Sequence, residues 1–298
     1  MTYLQGVFAA SITPLNDDFS PDLGAIPGYL DFLAERSCHG ALLLGTTGEG
    51  PSFSFEQRVE IFRAAVRVRE KWPDFALLAG TSTPSLDETV KLTRFAFDIG
   101  MDGTVVLPPY YFRNSGVSGL FSWFLNVIQR SVPAGGNFLA YHIPAVSGVP
   151  LSIDLLSQLY EAEPRRFSGL KDSSGDLQYA KQLGGKFGKE LCVLTGNDRL
   201  LTSALNHHAS GCITAMANLI SPELRLIWDG FKSDKSTDMI QARIDDVREI
   251  SELFPPFPPL IKYLLHHFFE FPLWPVCPPL EDLPQDSADR VSTMINLA

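Results

Sequence analysis

Short apolar runs alternate with longer amphipathic stretches along most of the chain. The runs are GVFAASITP from Gly6, GALLLGTTG from Gly40, FALLAGTS from Phe75, GTVVLPPYY from Gly103, NFLAYHIP from Asn137, FSGLKDSS from Phe167, LCVLTGND from Leu191 and GCITAMAN from Gly211. Each is nearly continuous in apolar residues and ends in a polar or glycine-rich turn, which is the pattern of a strand covered on both faces. Between them lie helical patterns. Over residues 53–72, Val59, Phe62, Ala65 and Val66 recur at steps of three and four and predict one amphipathic helix. Ser85 and Asp87 before VKLTRFAF, and Ser152 before IDLLSQLY, mark helix starts. Parallel strands need a crossover connection, so eight strand–helix units predict an α/β fold, a closed (β/α)₈ TIM barrel over residues 1–232. The pattern then changes. Residues 233–298 read as a C-terminal helical appendage: a helix from about Asp234, a break at FPPFPP from Phe254, a second helix in PLIKYLLHHFF, a proline-rich connector and a last helix.

Composition narrows the function classes. The chain has 298 residues, 45% hydrophobic, with a formal net charge of -10. That balance argues against nucleic acid and anionic membranes as partners, since both select a basic surface. The N-terminus MTYLQGVFAA has no basic flank and no long apolar core, and no stretch reaches the roughly 18 apolar residues of a spanning helix, so a cytoplasmic address is expected. Cys38, Cys192, Cys212 and Cys277 form no CxxC pair and read as small core residues. The pairs His207-His208 and His266-His267 point in different directions on a helix, so no metal site is predicted.

In a barrel of this kind the chemistry sits at the C-terminal ends of the strands. Those ends carry Thr13-Pro14, the Gly45–Glu49 turn, Tyr110-Tyr111, Tyr141, Lys171 and Gly196–Arg199. Lys171 is either a lysine that snorkels to water or a nucleophile. As a nucleophile it condenses with the carbonyl of a 2-keto acid, and the resulting iminium accepts electrons when a bond at C3 forms or breaks. The attacking amine must be neutral, which requires burial or a positive neighbour to lower its pKa from about 10.4. Leu170, Ala140 and Ile213 are expected to line the mouth and supply that burial. Tyr141, one strand earlier, is the natural proton carrier. The Gly45–Gly48 turn brings backbone N–H groups and the Thr47 hydroxyl to one place, which suits a carboxylate.

Taken in order, GTTGE (Gly45–Glu49), PPYY (Pro108–Tyr111), YHIPAVSG (Tyr141–Gly148), GLKDSSGD and GNDRL (Gly196–Leu200) resemble the dihydrodipicolinate synthase / N-acetylneuraminate lyase family of pyruvate-dependent class I aldolases. The resemblance runs from Gly6 to about Pro275. It implies that Lys171 forms a Schiff base with pyruvate or another small 2-keto acid, that Tyr141 relays protons with Thr46 as its hydrogen-bonding partner, and that Thr47, with Gly48 and the neighbouring amides, holds the carboxylate. It further implies that the backbones of Gly196 and Ile213 line the pyruvate pocket, that Tyr111 enters a neighbouring subunit's site, that the assembly is a homotetramer, and that no cofactor is needed.

Two departures bear on which reaction is run. Where the synthases carry an arginine for the second substrate's carboxylate this chain has Val146, which cannot make that contact. The YHIPAVSG stretch is more similar to the lyase branch, yet Arg199 stands where sialic-acid lyases carry an acidic residue. Arg199 is then either a solvated helix-start residue or a recogniser of an acidic group at the substrate's far end. The leading expectation is an aldolase or lyase acting on a carbon–carbon bond of a 2-keto acid. The alternatives are a dehydratase acting on a keto-deoxy sugar acid, a synthase-like enzyme with altered second-substrate recognition, and a non-enzymatic 2-keto-acid binder. Glu49 reads as a carboxylate that organises backbone amides near the site. His142 is expected to point away from Tyr141 and pack, and Asp172 and Asp176 to serve the turn and the next helix start.

Overall fold

The computed structural model describes residues 4–188 and 190–297. Each apolar run contains one strand: β1 (Gly6–Ala10), β2 (Gly40–Leu43), β3 (Ala76–Gly80), β4 (Gly103–Val106), β5 (Asn137–His142), β6 (Phe167–Asp172), β7 (Cys192–Thr195) and β8 (Gly211–Thr214). They close into a barrel in chain order, a TIM barrel. Neighbouring strands pair in parallel, as Val106 with Ala140 and Leu170 with Val193.

The helices are α1 (Ala25–Glu35), α2 (Phe55–Ala65), α3 (Leu86–Asp98), α4 (Val117–Ser131), α5 (Pro144–Ser147), α6 (Ile153–Ala162), α7 (Leu177–Phe187), α8 (Leu201–Asn206), α9 (Ala217–Lys232), α10 (Asp238–Glu252), α11 (Phe257–Phe269) and α12 (Gln285–Met294). Their starts follow local chemistry. The side chains of Ser85 and Ser152 accept the N–H of Glu88 and Leu155, and Asp176 accepts those of Gln178 and Tyr179. No helix among the described residues is long and apolar enough to cross a membrane.

Three sequence expectations are corrected here. The helix over 53–72 is α2 followed by a 3₁₀ segment at Val66–Glu70. Its buried stripe includes Arg58, Ile61, Phe62 and Ala65 rather than Val59 and Val66, because Arg58 turns inward and its Nε donates to the Phe53 carbonyl at 3.1 Å. The helix after the FPPFPP break begins at Phe257, two residues before the Pro259 start of the expected PLIKYLLHHFF helix. Pro258 and Pro259 lie in the first turn of α11, where a missing N–H costs nothing.

The chain divides into two compact units. The first, Ala76–Cys212 with the N-terminal segment to Gly6, holds β3 to β7 and α3 to α8. Its core joins Phe138, Phe167 and Leu170 of the strands to Phe124, Leu155 and Leu159 of α4 and α6. Each such side chain contributes roughly 1.5–3 kcal/mol by leaving water. The second, Val7–Phe75 with Ile213–Ala298, brings α1 and α2 together with α9 to α12. There the buried Tyr29 hydroxyl donates to Asn218 Oδ1 at 2.5 Å, and Asn218 Nδ2 donates to the Ala10 carbonyl at 2.8 Å, so one amide joins α1, β1 and the start of α9.

Candidate active site

Within the first unit, the β5–β6 pairing sets the lysine. The register runs Phe138 with Phe167, then Leu139 with Gly169, so Ser168 is an extra residue in β6. Gly169 makes this bulge possible: its φ is +154°, and a Cβ there would stand 1.9 Å from the Cys192 carbonyl oxygen. Beyond it Tyr141 pairs with Lys171. Residues paired across adjacent strands project to the same face, and these two side chains meet. Lys171 Nζ lies 4.3 Å from the centre of the Tyr141 ring. Lys171 is 3% exposed and Tyr141 4%, so the cation–π contact is desolvated. The snorkelling alternative for Lys171 is excluded by that burial.

The loops that follow are tied to each other through main chain. Ser173 N donates to the His142 carbonyl at 2.7 Å, and Gly196 N donates to the Asp172 carbonyl at 2.6 Å. Asp172 accepts the Ser174 N–H at 3.0 Å, and burial pushes its carboxyl above the usual range. Asp172 and Asp176 therefore serve the turn and the helix start, as expected. His142 points away from Tyr141: its Nδ1 accepts the Leu151 N–H at 3.0 Å, and its ring stacks on Tyr179 at 4.5 Å. Burial lowers its pKa to about 4. Alternation also corrects one expectation. Leu170 and Ala140 belong to the cluster that includes Phe124 and Leu155, on the helix side, and do not line the lysine's face.

The remaining predicted residues of this unit stand on the loops and short helical turns that follow the strands. Tyr111 is 75% exposed and meets Phe112 edge to face at 5.2 Å. Val146, in α5, is 57% exposed. Gly196 is half-buried, and Arg199 is exposed with its backbone N–H on Asn197 Oδ1 at 3.1 Å. Phe112 is a large exposed aromatic that the sequence pattern did not single out.

Within the second unit, the turn after β2 holds Thr46, exposed, and Thr47 and Gly48, both buried. Its path is unusual. Leu44 and Glu49 have φ of +56° and +55°, in the left-handed region that non-glycine residues rarely adopt. A Cβ on Gly50 would meet the Leu44 carbonyl oxygen at 2.1 Å, so only glycine lets the chain fold back there. Thr13 Oγ1 donates to the Gly48 carbonyl at 2.7 Å. Glu49 is buried, and both of its oxygens are used. Lys262 Nζ of α11 donates to Oε1 at 2.6 Å and to the Pro275 carbonyl at 2.6 Å, while Cys277 N donates to Oε2 at 2.7 Å. Desolvation pulls the Lys262 pKa down and the carboxylate opposes it. Glu49 thus organises one remote amide and a buried ammonium rather than amides of its own turn. Ile213 is fully buried in β8.

Comparisons with known proteins agree with this architecture. The model of the dihydrodipicolinate synthetase family matches residues 3–298. A DapA-like lyase of Chloroflexus aurantiacus is 36% identical over 247 residues, covering 83% of this chain and 81% of that protein. The 4-hydroxy-tetrahydrodipicolinate synthase of Methanosphaerula palustris is 31% identical over 223 residues, covering 74% and 73%. Among solved structures, dihydrodipicolinate synthase from Agrobacterium tumefaciens superposes with a TM-score of 0.87 at 27% identity, covering 98% of each chain.

Proposed function

Since the chain belongs to the dihydrodipicolinate synthetase family, we propose that it is a class I lyase that makes or breaks a carbon–carbon bond of a 2-keto acid through an imine on Lys171. The observation that carries the proposal is the desolvated Lys171–Tyr141 contact at 4.3 Å. As the free amine, Lys171 attacks C2 of pyruvate; the C2 oxygen takes one proton from the attacking nitrogen and one from Tyr141 and leaves as water, giving the iminium. Loss of a proton from C3 gives the enamine, whose C3 attacks an aldehyde; the reverse sequence cleaves that bond and returns the electrons to the imine.

The other roles follow the family resemblance. Thr46 assists Tyr141; Thr47 and Gly48 receive the carboxylate; the backbones of Gly196 and Ile213 border it; Tyr111 completes a neighbouring subunit's site within a homotetramer. Val146 in place of an arginine disfavours the synthase reaction itself, because an aliphatic side chain offers no donor to a second carboxylate. Arg199 then recognises an anionic group at the distal end of the partner substrate.

Borohydride reduction in the presence of pyruvate, followed by peptide mapping, tests the proposal. A stable adduct on Lys171 is expected, formed slowly in Tyr141→Phe, whose ring keeps the packing and loses the proton. Absence of any lysine adduct in the native protein rules the imine out.

A further inference from the structure

Glu49 and Lys262 form an ion pair in which the side chains are 0% and 1% exposed. Such a pair is a poor stabilising device, because removing two charges from water offsets most of their attraction, and apolar replacements are often neutral. What the pair supplies is direction. The carboxylate is held by Lys262 at one oxygen and by Cys277 N at the other, and the ammonium is held in turn by the Pro275 carbonyl. These bonds end on the residue that carries the turn's second left-handed φ. A conformation of that kind persists only where its surroundings over-determine it. Thr13, the third anchor, fixes the same turn one residue earlier through the Gly48 carbonyl.

We propose that Lys262 is a positioning residue for substrate carboxylate binding: through Glu49 it holds the Gly45–Gly50 turn in the shape that presents Thr47 and the turn amides. The inference rests on the reading of that turn as the carboxylate site. It makes α11 and the segment Pro275–Cys277 part of the binding apparatus, although none of their side chains touches the substrate. Because the pair acts on binding geometry and not on proton transfer, its loss raises KM and leaves kcat nearly unchanged.

The test uses the double variant Glu49→Gln/Lys262→Met, which removes both charges together and keeps side-chain volume. A lone Lys262→Met would strand a buried carboxylate, so it is not informative. In the folded double variant, amide hydrogen exchange across Gly45–Gly50 is expected to accelerate about tenfold or more, and KM for pyruvate to rise about tenfold with kcat within about threefold, each shift near 1.4 kcal/mol. If the double variant does not fold, Glu49→Gln/Lys262→Gln, which also removes both charges and lets the two amides hydrogen-bond, decides by the same readouts with shifts of about threefold. A folded variant whose turn exchanges as in the native protein overturns the proposal, and so does one with accelerated exchange and unchanged KM. Failure of native Lys171 to trap pyruvate would instead sink the imine reading, and the exchange rates would still decide whether Lys262 fixes the turn.

Discussion

Substituting alanine for Gly169 should disable the lysine without touching it. The new methyl carbon would stand 1.9 Å from the Cys192 carbonyl oxygen and 2.7 Å from its carbon, against a contact floor near 3.0 Å. Relief requires a displacement of at least 3.0 − 1.9 = 1.1 Å. The obstacle is main chain, in the stretch where Gly169 pairs with Cys192 and Lys171 with Leu194, so it cannot rotate aside as a flexible side chain would. Strand β6 must shift instead, two residues before Lys171. Forcing an atom into a packed interior costs about 1–3 kcal/mol in stability, which a chain of this size tolerates at room temperature. A displacement of about 1 Å in a reacting group costs on the order of 100-fold in rate. The measurement is kcat/KM together with the rate of borohydride-trapped adduct formation on Gly169→Ala, with thermal melting as the control for folding. A folded variant that traps pyruvate within about threefold of the native rate would refute the claim that the bulge sets the lysine's position.

Two further predictions concern charge. The unfolded chain protonates His142 near the ordinary 6.5, whereas the buried ring titrates near 4. The stability this contributes is therefore present above pH 6.5 and lost as pH falls toward 4, by up to about 3 kcal/mol. His142→Asn, which can still accept the Leu151 N–H, should flatten that part of the pH dependence in denaturant melts; superimposable profiles would count against it. Arg199→Ala should raise KM for dianionic 2-keto acids about tenfold relative to monoanionic ones, and an unchanged ratio in a substrate panel would remove Arg199 from substrate recognition.

The eight strands were legible because each apolar run ends in glycine or polar residues, and helix starts because Ser85, Ser152 and Asp176 carry their signal within three residues. The Tyr141–Lys171 contact was legible as chemistry at successive strand ends. Its geometry was not, because the extra residue at Ser168 appears only when β5 is laid beside β6. Placing Leu170 and Ala140 on the lysine's face ignored alternation, which sends neighbours along a strand to opposite sides. Lys262 left no local trace: it sits on an apolar helix where a lysine reads as a surface residue, and its partner lies 213 positions away. The start of α11 differs from the sequence reading by Phe257 and Pro258, which read as part of the break although a proline in a helix's first turn loses no hydrogen bond.

That separation of 213 residues has a consequence for synthesis. At roughly 5–20 residues per second, Lys262 leaves the ribosome about ten to forty seconds after Glu49. For that interval the nascent chain carries Leu44 and Glu49 without the ammonium that holds the turn in its left-handed shape. Maturation of the turn therefore waits on the last helices of the chain, and a translation pause before residue 262 would prolong the interval in which Glu49 has no ammonium to answer it.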